Sequence, residues 1–240
     1  MTTASRDEEL FFASTIQRYL ANPRLVRRNW LADEVIRRAA DADQPFILLT
    51  AEPGFGKSVF MAQLAHEHHN WPRYFIRRDQ REVLAGVGTR SFLLRIGFQL
   101  AARYPELFER DALQVSVEQR IGDVHEKGVV VGAEVERIIA SPFYHGVVQV
   151  RQRAAKVSGH VVGIHINELV SEPRRIDPDD LQYMALLDPA RAMQHLYPQQ
   201  QIVILIDALD EVRYHEETEN LLTWLTNCSD LPGNIRFVLS

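Results

Sequence analysis

Cysteine is almost missing from this chain: Cys228 is the only one in 240 residues. One thiol cannot build a disulfide framework, nor a cysteine-rich zinc or iron–sulfur site. It fits a reducing compartment. Long apolar runs are missing too, and none approaches the ~18 residues needed to span a bilayer. The N-terminus, Met1-Thr2-Thr3-Ala4-Ser5-Arg6-Asp7-Glu8-Glu9, is acidic where a secretion signal carries a basic patch and an apolar core. No signal is read there, and the expected setting is cytoplasmic. Excess positive charge is also missing, since 27 Lys+Arg against 32 Asp+Glu leave a net charge of -5. No Arg/Lys stripe with interleaved aromatics stands out, so a nucleic-acid translocase is disfavoured. Disorder is excluded for the chain as a whole, because 46% of residues are apolar and 25% charged, the usage of an ordinary globular protein.

What is present alternates between short apolar runs and helix periods. Phe12, Ile16 and Leu20 make a helical stripe in a lead-in over 1–24, broken at Pro23. A second helix is predicted over about Trp30 to Ala40, with Leu31, Val35 and Ile36 apolar. Strands are predicted at 46–50, Tyr74-Phe75-Ile76, Ile202 to Ile206 and 235–239. Helices are predicted over Val59 to Ala65, Ser91 to Tyr104 and about Glu217–Thr226. In the middle, 129–131, 147–150 and 160–166 suggest strand, and the Pro/Asp-rich piece 171–180 a loop. That loop leads into a helix capped by Asp179 or Asp180, with Leu181, Met184 and Leu187 as its apolar positions. No short-period internal repeat is visible. Apolar strands alternating with helices predict an α/β fold with a mostly parallel central sheet buried on both faces.

Two segments carry chemistry. Ala51-Glu52-Pro53-Gly54-Phe55-Gly56-Lys57-Ser58 matches a phosphate-binding loop at Gly56-Lys57-Ser58, with a predicted strand before it and a helix after it. Glycines let successive N–H groups turn inward on a phosphate, and the following helix, with Val59 in its first turn, adds unpaired donors. Lys57 is expected on the β- and γ-phosphate oxygens, and Ser58 on Mg²⁺. Ile202-Val203-Ile204-Leu205-Ile206-Asp207 ends a buried strand in a carboxylate, at the sheet edge where α/β folds bind ligands. Asp207 is expected to hold Mg²⁺, and Asp210 or Glu211 to orient an attacking water. Lys57 and Asp207 stand 150 residues apart. That separation calls for extra strands and helices, or for an inserted subdomain at about 110–178.

Together these residues resemble the NACHT branch of the STAND signal-transduction ATPases, relatives of the AAA+ proteins. Ala51 to Ser58 looks like the family's phosphate loop, with Glu52, Pro53, Gly54, Phe55, Gly56, Lys57, Ser58 and Val59 as its nucleotide-binding positions. Leu205-Ile206-Asp207-Ala208-Leu209-Asp210-Glu211 looks like its Walker B segment, with a small residue after the first Asp and a closing acidic pair. Leu25-Val26-Arg27-Arg28-Asn29-Trp30-Leu31 resembles the segment that touches the adenine side, with Arg28 matching the family Arg and Arg27 in place of its Gly. Ile235 to Ser240 resembles the sensor-1 strand, whose Ser/Thr-Arg pair would continue past Ser240. Tyr74 to Asp79 and Phe92 to Leu100 look like the second strand and next helix of bacterial members.

The resemblance implies a P-loop NTPase core over 25–240, a three-layer αβα sandwich binding ATP or ADP with Mg²⁺. It implies C-terminal sensor or repeat domains as partners, and a homo-oligomer of the full-length protein on activation. Two other functions stay open: a nucleotide-gated interaction module with negligible turnover, and a phosphotransferase. His66 and His69 could share a helix face, but two ligands make a poor metal site. Trp30, Trp71 and Trp224 are read as core or interface residues, with a place near the base also open to Trp30.

Overall fold

Apolar runs at four places in the chain meet in one parallel sheet. Its strands are β1 (Phe46–Leu48), β2 (Arg73–Phe75), β7 (Ile202–Asp207) and β8 (Ile235–Leu239), in the order β1-β8-β7-β2. The computed structural model describes residues 8–23, 25–41, 44–76, 88–108, 115–124, 129–143, 148–157, 160–214, 221–228 and 230–240. It divides into two compact units, one of Met1–Leu107 with Pro178–Ser240, the other Phe108–Asp177.

In the first unit the helices are α1 (Ala13–Leu20), α2 (Asn29–Ala39), α3 (Lys57–Glu67), α4 (Thr89–Arg103), α5 (Pro178–Gln182), α6 (Asp188–Leu196) and α7 (Leu221–Asn227). Register sorts the sheet into two faces, because side chains alternate along a strand. Phe46 pairs with Phe237, and Tyr74 with Ile206. Phe46, Phe237 and Tyr74 therefore share one face. On it Phe92 of α4 meets Tyr74 edge-on at 5.5 Å and Trp224 of α7 at 5.3 Å, and Trp224 meets Phe237 at 6.3 Å. Arg73, Phe75 and Asp207 share the other face, where the buried Arg73 guanidinium donates to the carbonyls of Ala65 in α3 and His69. Its burial pulls the Arg73 pKa down to about 10, and the nearby Arg103 charge adds to this.

β7 is buried at every position, as a central strand should be. β1 departs from that expectation: it spans three residues, and only Ile47 is buried while Leu48 is 62% exposed. A strand at a sheet edge has fewer neighbours to cover it. β2, at the opposite edge, is closed by a side chain. Gln99 of α4, fully buried, accepts from the Arg73 N–H at 2.8 Å and donates to the Arg73 carbonyl at 2.8 Å and the Leu10 carbonyl at 3.0 Å. It stands in for the missing strand.

Several predicted positions shift. Helix α2 buries Ala32, Val35 and Ala39, whereas Ile36 is 41% exposed. Asp179 and Asp180 lie inside the first turn of α5 rather than capping it. A π-turn over Tyr183–Leu187 follows, and its wider ring rotates the helix, so Ala185 and Leu186 are buried in place of Met184 and Leu187. Trp30 is 71% exposed, so it is no core residue, while Trp71 is buried and stacks on His68 at 4.0 Å. Of the predicted helix at 217–226, residues 217–220 lie outside the described residues, as do 77–79 after β2.

The second unit holds β3 (Val115–Val124), β4 (Val129–Ile139), β5 (Val148–Val157) and β6 (His160–Val170). Among the described residues β3 pairs only with β5 and β4 only with β6, both in parallel. The pair β3 and β4 is therefore matched, strand by strand, by the pair β5 and β6. The register exposes a repeat that the sequence reading lacks. Identical residues face each other at Val115/Val148, Val117/Val150, Gln119/Gln152, Arg120/Arg153 and Val124/Val157 in one sheet, and at Val130/Val161 and Val131/Val162 in the other. Among the described residues no helix is long and apolar enough to cross a membrane.

The Gln99 brace generates a prediction. Gln99→Leu leaves the buried Arg73 amide and carbonyl without their Gln99 partners, and is expected to destabilise the chain by about 2–5 kcal/mol. Urea denaturation measures this, and a loss under ~1 kcal/mol would mean that the edge is not held by this side chain.

Candidate functional site

The site is built at the carboxyl ends of β1 and β7. After β1 the chain turns through Glu52, Pro53, Gly54 and Phe55, all exposed, before α3 begins at Lys57. Gly54 (φ 86°) and Gly56 (φ 79°) both take left-handed backbone. A side chain at either costs roughly 1–2 kcal/mol in that conformation. At Gly54 this is the whole reason for glycine, since a Cβ there meets nothing within 4 Å. At Gly56 a second reason joins it, for a Cβ would stand 3.5 Å from Arg28 Nη2.

Arg28, just before α2, is brought to this loop across 27 residues of sequence. Its Nη2 donates to the Phe55 carbonyl at 2.6 Å. The side chain thus braces the loop and places a permanent positive charge beside it. Beside Arg28, a cavity of about 310 Å³ is lined by residues that include Asn22, Val26, Phe55, Val59 and Gln63. Its lining mixes apolar side chains with a few amides, the character of a small-molecule site. Trp30 does not line it. Lys57, the first residue of α3, turns back so that Nζ donates to the Ala51 carbonyl at 2.9 Å. No carboxylate pairs with that ammonium in this contact, so it can turn to an anion at the cost of one exposed hydrogen bond.

Ser58, the second residue of α3, lies close enough to the Asp207 carboxylate for its hydroxyl to favour the ionised form. This joins the two motifs. Asp207 ends β7 and is 3% exposed. From the end of β8, the neighbouring strand, Ser240 Oγ donates to Asp207 Oδ1 at 2.6 Å. The Ala208 amide also favours the ionised carboxylate, and Ala208 takes left-handed backbone at φ 62°, which is strained for a residue with a Cβ. Burial pushes the Asp207 pKa above the usual carboxylate value; Ser240, Ser58 and the Ala208 amide pull it back in part, and the negative charge of Glu211 adds to the rise. Asp210 is exposed on the 3₁₀ turn Leu209–Tyr214, and Glu211 is half-buried. Of that acidic pair, Glu211 is the one whose charge is felt at Asp207.

A buried carboxylate beside a serine hydroxyl is a set of hard oxygen donors. Such a set suits Mg²⁺, which takes one or two carboxylates and keeps several waters. Sequence reading found Arg28, the loop, Ser58 and Asp207. It missed Ser240 as a direct partner of Asp207, and it took Ala208 only as a small residue that leaves room. The signal for Ser240 was its place at the end of the last strand, but only sheet order puts that strand beside β7.

The sign of the Asp207 shift yields a test without any ligand. A carboxyl that ionises less readily in the folded chain costs stability as pH rises through the carboxylate range, and the cost persists above its native pKa. Asp207→Asn is therefore expected to raise the melting temperature of the ligand-free chain at pH 7, by ~2–4 °C for each kcal/mol relieved. The gain should vanish near pH 3. A lower melting temperature for the variant at pH 7 would mean that the ionised carboxylate is well solvated or well paired.

Comparison with family models, with curated proteins and with solved structures finds no match to this chain.

Proposed function

We propose that this chain is a Mg²⁺-dependent ATP- and ADP-binding core with slow ATP hydrolysis, a regulatory switch of the NACHT-type STAND class, working in the cytoplasm. The fold proposed is the P-loop NTPase form of the α/β class, a three-layer αβα sandwich. The observation that carries the reading is the approach of the Ser58 hydroxyl to the Asp207 carboxylate. It brings the glycine-rich loop and the acidic strand end, 150 residues apart in sequence, to one point.

Each residue then has a task. Glu52 to Gly56 curl so that backbone N–H groups turn toward a phosphate, and the start of α3 adds its unpaired donors. Lys57 leaves the Ala51 carbonyl for the β- and γ-phosphate oxygens. Ser58 and Asp207 would hold Mg²⁺, whose charge helps neutralise the phosphates. Arg28 braces the loop and borders the cavity, which on this reading takes the sugar and base. Glu211 is the better candidate to orient the attacking water, since its charge already reaches Asp207; Asp210 stands further out in solvent. Slow turnover follows from openness. Residues 51–55 are exposed and Phe55 is 58% exposed, so water is poorly excluded and charges on the transferring phosphoryl are screened. Further domains of a longer protein and assembly with other copies would close such a site.

Two measurements test this. Lys57→Ala is expected to lower ATP and ADP affinity by about 100-fold, the worth of one or two charge-assisted hydrogen bonds, while leaving the melting temperature of the ligand-free chain nearly unchanged. Calorimetric titration reads it, and equal affinities in both proteins would remove the loop from the binding site. Asp207→Asn is expected to bind nucleotide without Mg²⁺ about as well as the parent and to lose the gain that Mg²⁺ gives. An undiminished Mg²⁺ effect in that variant would put the metal elsewhere. A turnover number for the parent near the enzyme median of about 10 s⁻¹ would replace the switch by a self-sufficient NTPase.

A further inference from the structure

One side chain in the wall of the cavity is tied at one end only. Gln63 lies in α3, is 3% exposed and lines the cavity beside the glycine-rich loop. About one helical turn further on, the exposed Glu67 accepts from its Nε2 at 3.1 Å. An ionised carboxylate has no proton to give, so the amide nitrogen faces Glu67 and both N–H groups belong to that end. Glu67 does not line the cavity. The other end of the amide, Oε1, accepts no hydrogen bond among the described residues. Gln63 therefore offers a ligand in the cavity an acceptor whose orientation is fixed from outside the cavity.

The distance suits a base. Gln63 follows Lys57 by six residues, which is about 9 Å along a helix at ~1.5 Å per residue. Phosphates at the start of α3 would leave Gln63 beyond the sugar, at the base. Leu25, Val26, Val59 and Phe60 add apolar surface for the faces of a ring. Arg28 stands at the opposite end, with Nη2 on the Phe55 carbonyl, so its donors belong with the loop. Purines differ in what they show such an acceptor. Adenine carries an amino donor at its 6-position, whereas guanine carries a carbonyl acceptor there. An acceptor that cannot turn is satisfied by the first and set against a second acceptor by the other.

We propose that Gln63 selects adenine in this site: its Oε1 accepts from the 6-amino group, and Glu67 is the positioning residue that keeps the amide oxygen turned to the base. The inference rests on the nucleotide reading given above and adds the base preference to it.

Calorimetric titration of the 240-residue chain with ATP and with ITP, both with Mg²⁺, tests this. The hypoxanthine of ITP carries the 6-carbonyl without the 2-amino group of guanine, so it isolates the 6-position. The parent is expected to bind ATP about 10–100-fold more tightly than ITP, the worth of one buried acceptor left without its donor. Gln63→Leu is expected to bring the two affinities close together, chiefly by weakening ATP. Glu67→Lys puts a donor where the acceptor was, on an exposed position near the helix C-terminus that suits a cation. Its ammonium would take Oε1 and turn the amide nitrogen to the base, so the preference is expected to move to ITP. A change of packing alone would not reverse the order of two nucleotides. Equal affinities of the parent for ATP and ITP overturn the proposal and leave the nucleotide reading standing. An undiminished preference for ATP in either variant overturns it in the same way. Failure of the parent to bind either nucleotide removes both.

Discussion

A single buried negative charge organises the first unit. Asp207 ends a strand in which every residue is buried, and a carboxylate in that place is costly unless hydrogen bonds surround it. Ser240 at the end of β8 donates such a bond, and Ser58 at the start of α3 and the amide of Ala208 lie near enough to favour the charge. Meeting that demand obliges β8 to lie beside β7, the glycine-rich loop to lie over both strand ends, and the chain after β7 to turn at once through a left-handed residue. Burial outweighs that help, which leaves the carboxyl reluctant to ionise.

Local features of this arrangement were legible in the sequence. Glycines at 54 and 56, Lys57 and Ser58 sit within a few residues of each other, and their roles depend on local backbone, so spacing alone reveals them. Asp207 was legible because an aliphatic run leads straight into it. Sheet order was not, since β8 enters between β1 and β7 from the far end of the chain. The Gln99 brace was hidden for a related reason: a glutamine inside an apolar helix looks like an interruption until β2 is seen to lack a neighbour. The π-turn at Tyr183–Leu187 defeats periodicity outright, because the period itself changes there. Of the residues that the NACHT-type resemblance named, Arg28 reaches Phe55 of the loop and Ser58 lies beside Asp207.

The second unit teaches a different lesson about repeats. Val115, Val117 and Val124 stand in register with Val148, Val150 and Val157, with unlike residues such as Glu118 and Arg151 between them. Identical positions are thus separated by unlike ones, and it is the backbone register that brings the likeness out.

The order β1-β8-β7-β2 has a consequence for synthesis. β1 pairs in this sheet only with β8, and β2 only with β7. The first two strands made are therefore without a partner until the last two leave the ribosome, an interval of roughly 10–40 s at ordinary elongation rates. Throughout it Ile47, Tyr74 and Phe75 have no strand to lie against. The helices α1, α3 and α4 are already complete, and Phe12 and Phe92, which lie against Tyr74 in the finished fold, are the shelter available to the nascent chain. Vectorial folding of this unit runs backwards: its earliest segments are the last to be locked.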